Sequence, residues 1–346
     1  MARLRPLPVL GALAALVVIG ISVGLSSGAT VIPLNELPAL LGHKLGWSSE
    51  VGPHELVFWQ LRVPRVLLAL VVGASLSVAG AMMQGLFRNP LADPGLVGVS
   101  SGAALGAVLM IVLGERLSFL HGMLAPYAVP IAALIGAWLV TGMILQFGSY
   151  QGVTSVATLL LAGIAINALV GAVIGLGTFL STDAQLRSLN FWMLGSLGAA
   201  SWGGLVSVLP FCLVLLIAAP LTAKPLNALS LGEAEAGHLG FRPEHLKVVI
   251  VSLTAIGVGG CVAQTGMIGF VGLVVPHLLR LAIGPDHRWL IPGSAMLGAF
   301  LLVVADTLAR VIVAPAEMPI GIITAAVGAP FFLMLLWQKR RKATWL

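Results

Sequence analysis

Residues 64–113 read PRVLLALVVGASLSVAGAMMQGLFRNPLADPGLVGVSSGAALGAVLMIVL. Two apolar runs, Pro64–Leu86 and Val97–Leu113, flank RNPLADPG. Each run approaches the roughly 20 residues that carry a helix across a bilayer. The joint between them holds an Asn-Pro and an Asp-Pro-Gly, which make a rigid, tightly turned connection. Apolar run, tight polar turn, apolar run is the pattern that decides the architecture.

The pattern repeats along the chain. Ten spans are expected: Leu7–Leu25, Pro64–Leu86, Val97–Leu113, Leu124–Phe147, Ser155–Leu180, Gly203–Ala219, Lys247–Gln264, Gly269–Ile283, Trp289–Ala305 and Pro319–Trp337. The eighth is short and carries Pro276 and His277, which predicts a kinked or incomplete crossing. Of 346 residues, 59% are hydrophobic and only 9% charged, against roughly 25% in a soluble domain. That composition excludes a cytosolic enzyme, a disulfide scaffold and a disordered chain. The fold class is an all-α polytopic membrane protein, a single transmembrane domain over residues 1–346.

Charge placement sets the orientation. With the N-terminus in the cytoplasm, the inner side carries Arg3, Arg5, Arg88, Lys224, Arg242, Lys247, Arg280, Arg288 and the tail Lys339–Lys342. The outer side carries only Lys44, Arg62, Arg65, Arg116, Arg187 and Arg310. Ten spans then leave both termini cytoplasmic. The net charge of +6 reports topology, not nucleic acid. Arg3 and Arg5 before an apolar run resemble a signal peptide, yet the orientation requires that run to be kept as the first span.

Three stretches between spans are long. Ser26–Val63, including Trp47 and Trp59, is expected outside. Ser181–Trp202 is expected outside, with a short surface helix at about residues 186–198. Pro220–Leu246 is expected inside as a helix pair, its cytoplasmic segment proper being residues 221–246. There Leu226, Leu229, Leu231, Ala234 and Leu239 would share one side of a short amphipathic helix. Ser230 and Glu233 have capping-box spacing, and Glu233 and Glu235 bring negative charge to a basic face. Such a segment suits a docking surface or a helix lying on the membrane.

Candidate chemistry is sparse. No lysine follows a glycine, so the chain has no phosphate-cradling loop, and ATP-driven work would need a partner. Cys212 and Cys261 have no metal-ligand spacing and read as apolar packing residues. Arg62 and Arg65 flank Pro64 at the mouth of span two, and Arg310 sits just outside span nine. These arginines suit snorkelling, an acidic partner or an anionic solute. Asp306 stands one turn before Arg310, a spacing that fits structural neutralisation. An ion-driven transporter would need acids at mid-depth, and Asp306 is the only candidate, near an edge. An intramembrane enzyme would need paired catalytic groups, which are not found. Asn167, mid-span, is expected either to face a pathway or to join two helices.

The segments LRVPR (61–65), GAMMQGLFRNPLADPGLVGVSSGAALGA (80–107), LLLAGIAIN (159–167), FWMLGSL (191–197), LSLGEAEAGHLG (229–240), GMIGFVGLVVPHLLR (266–280) and EMPIGIITAAVGAPFFLMLL (317–336) resemble the FecCD permeases. These are the type II ABC importer permeases for haem, ferric siderophores and cobalamin. The resemblance runs from about Ala29 to Trp337, with the motifs in the family's order.

It implies the ten-span vitamin B12/siderophore-type fold in the bacterial inner membrane and a homodimer. It also implies two ATPase subunits inside and a periplasmic binding protein outside. ATP and Mg would act through the ATPase, with no cofactor or metal bound by this chain. Arg62, Arg65 and Arg310 match positions that pair with glutamates of the binding protein. Leu229, Leu231, Gly232, Glu233, Glu235 and Gly240 match the segment that couples to the ATPase. Thr154 and Ser155 lie where the family has its cytoplasmic gate, and Asn167 and Arg187 lie on elements that would line the path. Many relatives carry arginine where this chain has Thr158. VSSGAALGA after RNPLADPG looks closest to haem importers, which implies haem, with siderophore or cobalamin as the alternatives.

Overall fold

A backbone in lipid has no water to bond, so its polar groups must be satisfied within helices. In the computed structural model, described at residues 4–28, 30–44, 53–114 and 125–343, the apolar runs are accordingly helical. The helices are α1 (Pro6–Ser26), α2 (Leu37–Lys44), α3 (Val63–Leu86), α4 (Val99–Leu113), α5 (Ala125–Gly148), α6 (Val156–Phe179), α7 (Asp183–Leu194), α8 (Trp202–Ala218), α9 (Ala223–Leu229), α10 (Glu233–His238), α11 (Pro243–Thr265), α12 (Val271–Ile283), α13 (His287–Val311) and α14 (Ile320–Ala343). A two-stranded hairpin, β1 (Ser149–Tyr150) and β2 (Val153–Thr154), precedes α6.

Each expected span corresponds to one helix. Among the described residues, seven stretches are long and apolar enough to cross a membrane, while α4, α12 and the apolar part of α14 are shorter. Trp47, Arg116 and the side chains of Lys339–Lys342 lie outside the described residues.

The bundle is built around α3. It is 83% buried over its most apolar window, against 22% for α1 and α6, and it packs on α13, α12, α11 and α8. In lipid the association of helices rests on close van der Waals packing, which favours small residues at crossings. Gly80 shows the mechanism: a Cβ there would overlap the Gly272 carbonyl of α12. A second layer pairs α4 with α5, and α6 lies beside both. The side of α6 away from them exposes Leu161, Ile164, Leu169 and Leu176.

The structure corrects several boundaries. α7 starts at Asp183, earlier than 186, because Thr182 and Gln185 form a capping box, and it stops at Gly195 (φ 68). α13 continues six residues past Ala305, so Asp306 and Arg310 are inside the helix and buried. A π-helical turn, Val57–Arg62, leads into α3, and the Val63 N–H bonds back to the Phe58 carbonyl. Pro64, one residue on, has no N–H for the usual ladder.

The turn 87–98 is as rigid as its prolines imply. Arg88 takes φ 48, Asn89 Oδ1 accepts from the Leu91 N–H at 3.0 Å, and Asp93 Oδ1 accepts from the Gly95 N–H at 2.7 Å.

Candidate functional site

Polar side chains gather at two ends of the bundle. At one end, where α3 begins and α13 finishes, Arg62, Arg65 and Arg310 converge on Asp306 and Glu317. Arg65 Nε donates to both Asp306 oxygens, at 3.0 and 3.1 Å. Arg65 Nη1 donates to both Glu317 oxygens, at 2.8 and 3.0 Å. Arg310 Nε pairs with Asp306 Oδ2 at 3.1 Å, and its Nη atoms donate to the carbonyls of Ser27 and Gly24. Arg62 Nη2 donates to the Thr30 carbonyl at 2.7 Å.

All three arginines are buried within the protomer, which excludes simple snorkelling into water. Among the described residues, the cluster sets three cations beside two carboxylates, a formal excess of one positive charge within it. Arg62 Nη1 is buried without a hydrogen-bond partner among the described residues. The i,i+4 pairing of Asp306 with Arg310 was legible in the sequence. Glu317 and the Arg65–Asp306 pair were not, because their partners come from distant helices.

At the opposite end lie the hairpin, α9 and α10. The expected helix pair is present as α9 and α10, but the apolar stripe expected on one short helix is broken between them at Gly232, whose φ of 141 suits only glycine. Gly232, not Ser230, is the N-cap of α10; Ser230 Oγ instead donates to the Asn227 carbonyl, so the capping box is not formed. The apolar stripe also divides. Leu226 and Leu229 are buried, whereas Leu231 and Leu239 are 68% and 60% exposed at either end of α10. Glu235 is exposed with them, and Gly240 (φ 83) turns the chain towards α11. Glu233 points to Lys247, at 2.8 Å.

α9 is anchored to α13 by Asn227, which donates to Asp286 Oδ1 at 2.6 Å and accepts from the His287 N–H at 3.0 Å. Hydrogen bonds from the Arg288 guanidinium, aided by its backbone N–H and Asn227, hold the Asp286 carboxyl down to about 2.

The residues expected along a path do not form one site. Thr154 is buried in the hairpin, and its N–H donates to Glu244. Ser155 caps α6 by accepting from the Thr158 N–H at 3.3 Å. Asn167 is roughly 20 Å further along α6 by helix rise. It accepts from Ser101 of α4 and so joins two helices. Arg187 is exposed on α7. Sequence reasoning missed Lys247, counted only as a topological charge; the Glu244–Lys247 spacing of three was the available signal.

Cys212 and Cys261 meet at 3.5 Å between α8 and α11, buried as small packing residues.

The profile of the FecCD transport family matches residues 15–338. The hemin transport system permease protein HmuU of Yersinia pestis is 49% identical over 301 residues, covering 86% of this chain and 88% of that protein. The vitamin B12 import system permease protein BtuC of Escherichia coli O9:H4 is 43% identical over 295 residues, covering 85% and 87%. A solved metal-chelate type ABC transporter in an inward-facing conformation superposes with a TM-score of 0.83 at 31% identity, over 96% of this chain and 99% of that one. PsaBC from Streptococcus pneumoniae, at 18% identity and a TM-score of 0.55, shares the fold alone.

Proposed function

The chain belongs to the FecCD transport family of ABC importer permeases, multi-pass proteins of the bacterial inner membrane, and on that premise we propose that it moves haem inward as a homodimer. Two ATPase subunits would supply ATP and Mg chemistry from the cytoplasm, and a periplasmic binding protein would deliver the haem. The chain itself holds no cofactor in this reading, and both its termini are cytoplasmic.

The observation that carries haem is the higher identity to the hemin permease than to the vitamin B12 permease over nearly the same length. The two polar ends support the partners. The arginine cluster, with three cations beside two carboxylates, suits a carboxylate of a binding protein. Leu231, Glu235 and Leu239 form an exposed surface of mixed character on the side proposed to face the ATPase. The exposed apolar face of α6 suits the second protomer or a weakly lined path, since conduction requires that the solute not be held strongly.

The test is uptake by proteoliposomes holding the permease, its ATPase and its binding protein. ATP-dependent accumulation of haem is expected. Accumulation of cobalamin or a ferric siderophore instead would replace the substrate, and uptake without ATP would overturn the importer reading.

A further inference from the structure

A buried lysine joins the proposed ATPase-docking segment to the hairpin that starts α6. Lys247 lies near the start of α11, with its side chain 2% exposed. An ammonium has three hydrogens to donate. Here one goes to the Thr154 carbonyl at 2.6 Å, one to Glu233 Oε2 of α10 at 2.8 Å, and one to Glu244 Oε1 at 2.9 Å. The Glu244 carboxylate also accepts from the Thr154 N–H. Both backbone polar groups of Thr154 are therefore held by side chains of α11, and the next residue, Ser155, caps α6.

A buried ammonium that loses one of its two carboxylates is left with an unfilled donor and less compensation, so movement of α10 pulls on Lys247 and on its other bonds. We infer that Lys247 is a positioning residue for coupling. Displacement of α10 by a docked ATPase passes through Glu233 and Lys247 to Thr154, and so to the inner end of α6. The inference rests on the importer reading for the force on α10. Because Lys247 offers almost no surface, its loss acts on transmission and not on docking.

The test uses the complete importer in proteoliposomes, with a spin label at Tyr150→Cys. Tyr150 is 78% exposed in the hairpin, and the two native cysteines are fully buried, so labelling is selective. In otherwise unchanged protein, ATP binding by the partner is expected to alter the label's mobility. In Lys247→Met, which keeps the unbranched stem, the label is mobile from the start and ignores ATP. The ATPase still co-purifies, and ATP consumed per haem delivered rises by about tenfold, the scale of an ordinary coupling free energy.

Lys247→Arg keeps the charge and restores the ATP response in part. Glu233→Gln, trimmed from the more exposed end of the link, reproduces the label effect even where Lys247→Met is too unstable to purify. A Lys247→Met label that responds like the parent, or loss of ATPase co-purification, overturns the inference. Failure of the parent protein to carry haem would strike the substrate reading instead. The label comparison needs no haem and still decides the role of Lys247.

Discussion

Arg65 and Asp306, on α3 and α13, meet through two hydrogen bonds from one guanidinium nitrogen, at 3.0 and 3.1 Å. Asp306 is 2% exposed and also pairs with Arg310, so one carboxylate bridges two buried cations. Removing the shared partner of a buried cluster is far worse than removing a rim charge. Asp306→Asn is expected to cost about 3–5 kcal/mol. It should appear as a large fall in the thermal inactivation midpoint in detergent; an unchanged midpoint would contradict the clamp. Glu317→Gln, at the half-exposed end, should cost about 1 kcal/mol or less.

Arg62 is the arginine of the three least engaged within the protomer. Arg62→Gln should weaken capture of the binding protein, and the deficit should shrink as ionic strength rises, because salt screens the long-range attraction between the cluster's positive charge and an approaching acidic partner. Binding kinetics at two salt concentrations check this. Equal affinity for parent and variant would remove Arg62 from the docking surface. Arg65→Glu is the poorer probe, since it breaks the clamp as well.

Leu231 and Leu239 stand out from the bundle at either end of α10. The pair Leu231→Asp and Leu239→Asp should abolish co-purification of the ATPase while leaving the permease's own melting unchanged. Retained co-purification would assign the surface to the membrane interface instead.

Gly80 faces the Gly272 carbonyl at the crossing of α3 and α12. Gly80→Val is expected to destabilise by about 1–3 kcal/mol or more through overpacking. Gly171→Ala, at a site with open space, should be tolerated. Yields of monodisperse protein by size exclusion separate the two outcomes.

Asp286 has a folded-state carboxyl held at about 2, below the ordinary value near 3.9. A depressed acid contributes stability above its unfolded value and loses it as pH falls through its folded one. The stability gap between parent and Asp286→Asn should therefore be constant above about pH 5 and narrow on acidification towards pH 2. Melting of both proteins across that range is the measurement. A gap that widened with acid would reverse the sign and refute the pairing.

The interrupted helix at Gly232 shows where local pattern reading stops. Leu226, Leu229, Leu231 and Leu239 have helical spacing, yet the first two pack into the bundle and the last two face outward. Apolar spacing marks which residues can share a face, but the backbone turn at Gly232 re-aims everything after it. Asn167 shows the reverse case. Its type and mid-span position allowed two roles, and only the arrival of Ser101 from α4 selected the joint between helices.

The sequence by itself determined the ten apolar helices, the rigid turn at RNPLADPG, the short α12 and the family. It could do so because a bilayer imposes a one-dimensional rule: length and apolarity of a run decide whether it is a helix in lipid. Tertiary structure alone decided which charges distant in sequence meet. Arg65 and Asp306 are 241 residues apart, and Lys247 and Thr154 are 93 apart. No periodicity links such positions. They are joined because small residues let helices approach closely, and charges removed from water at those crossings must find one another.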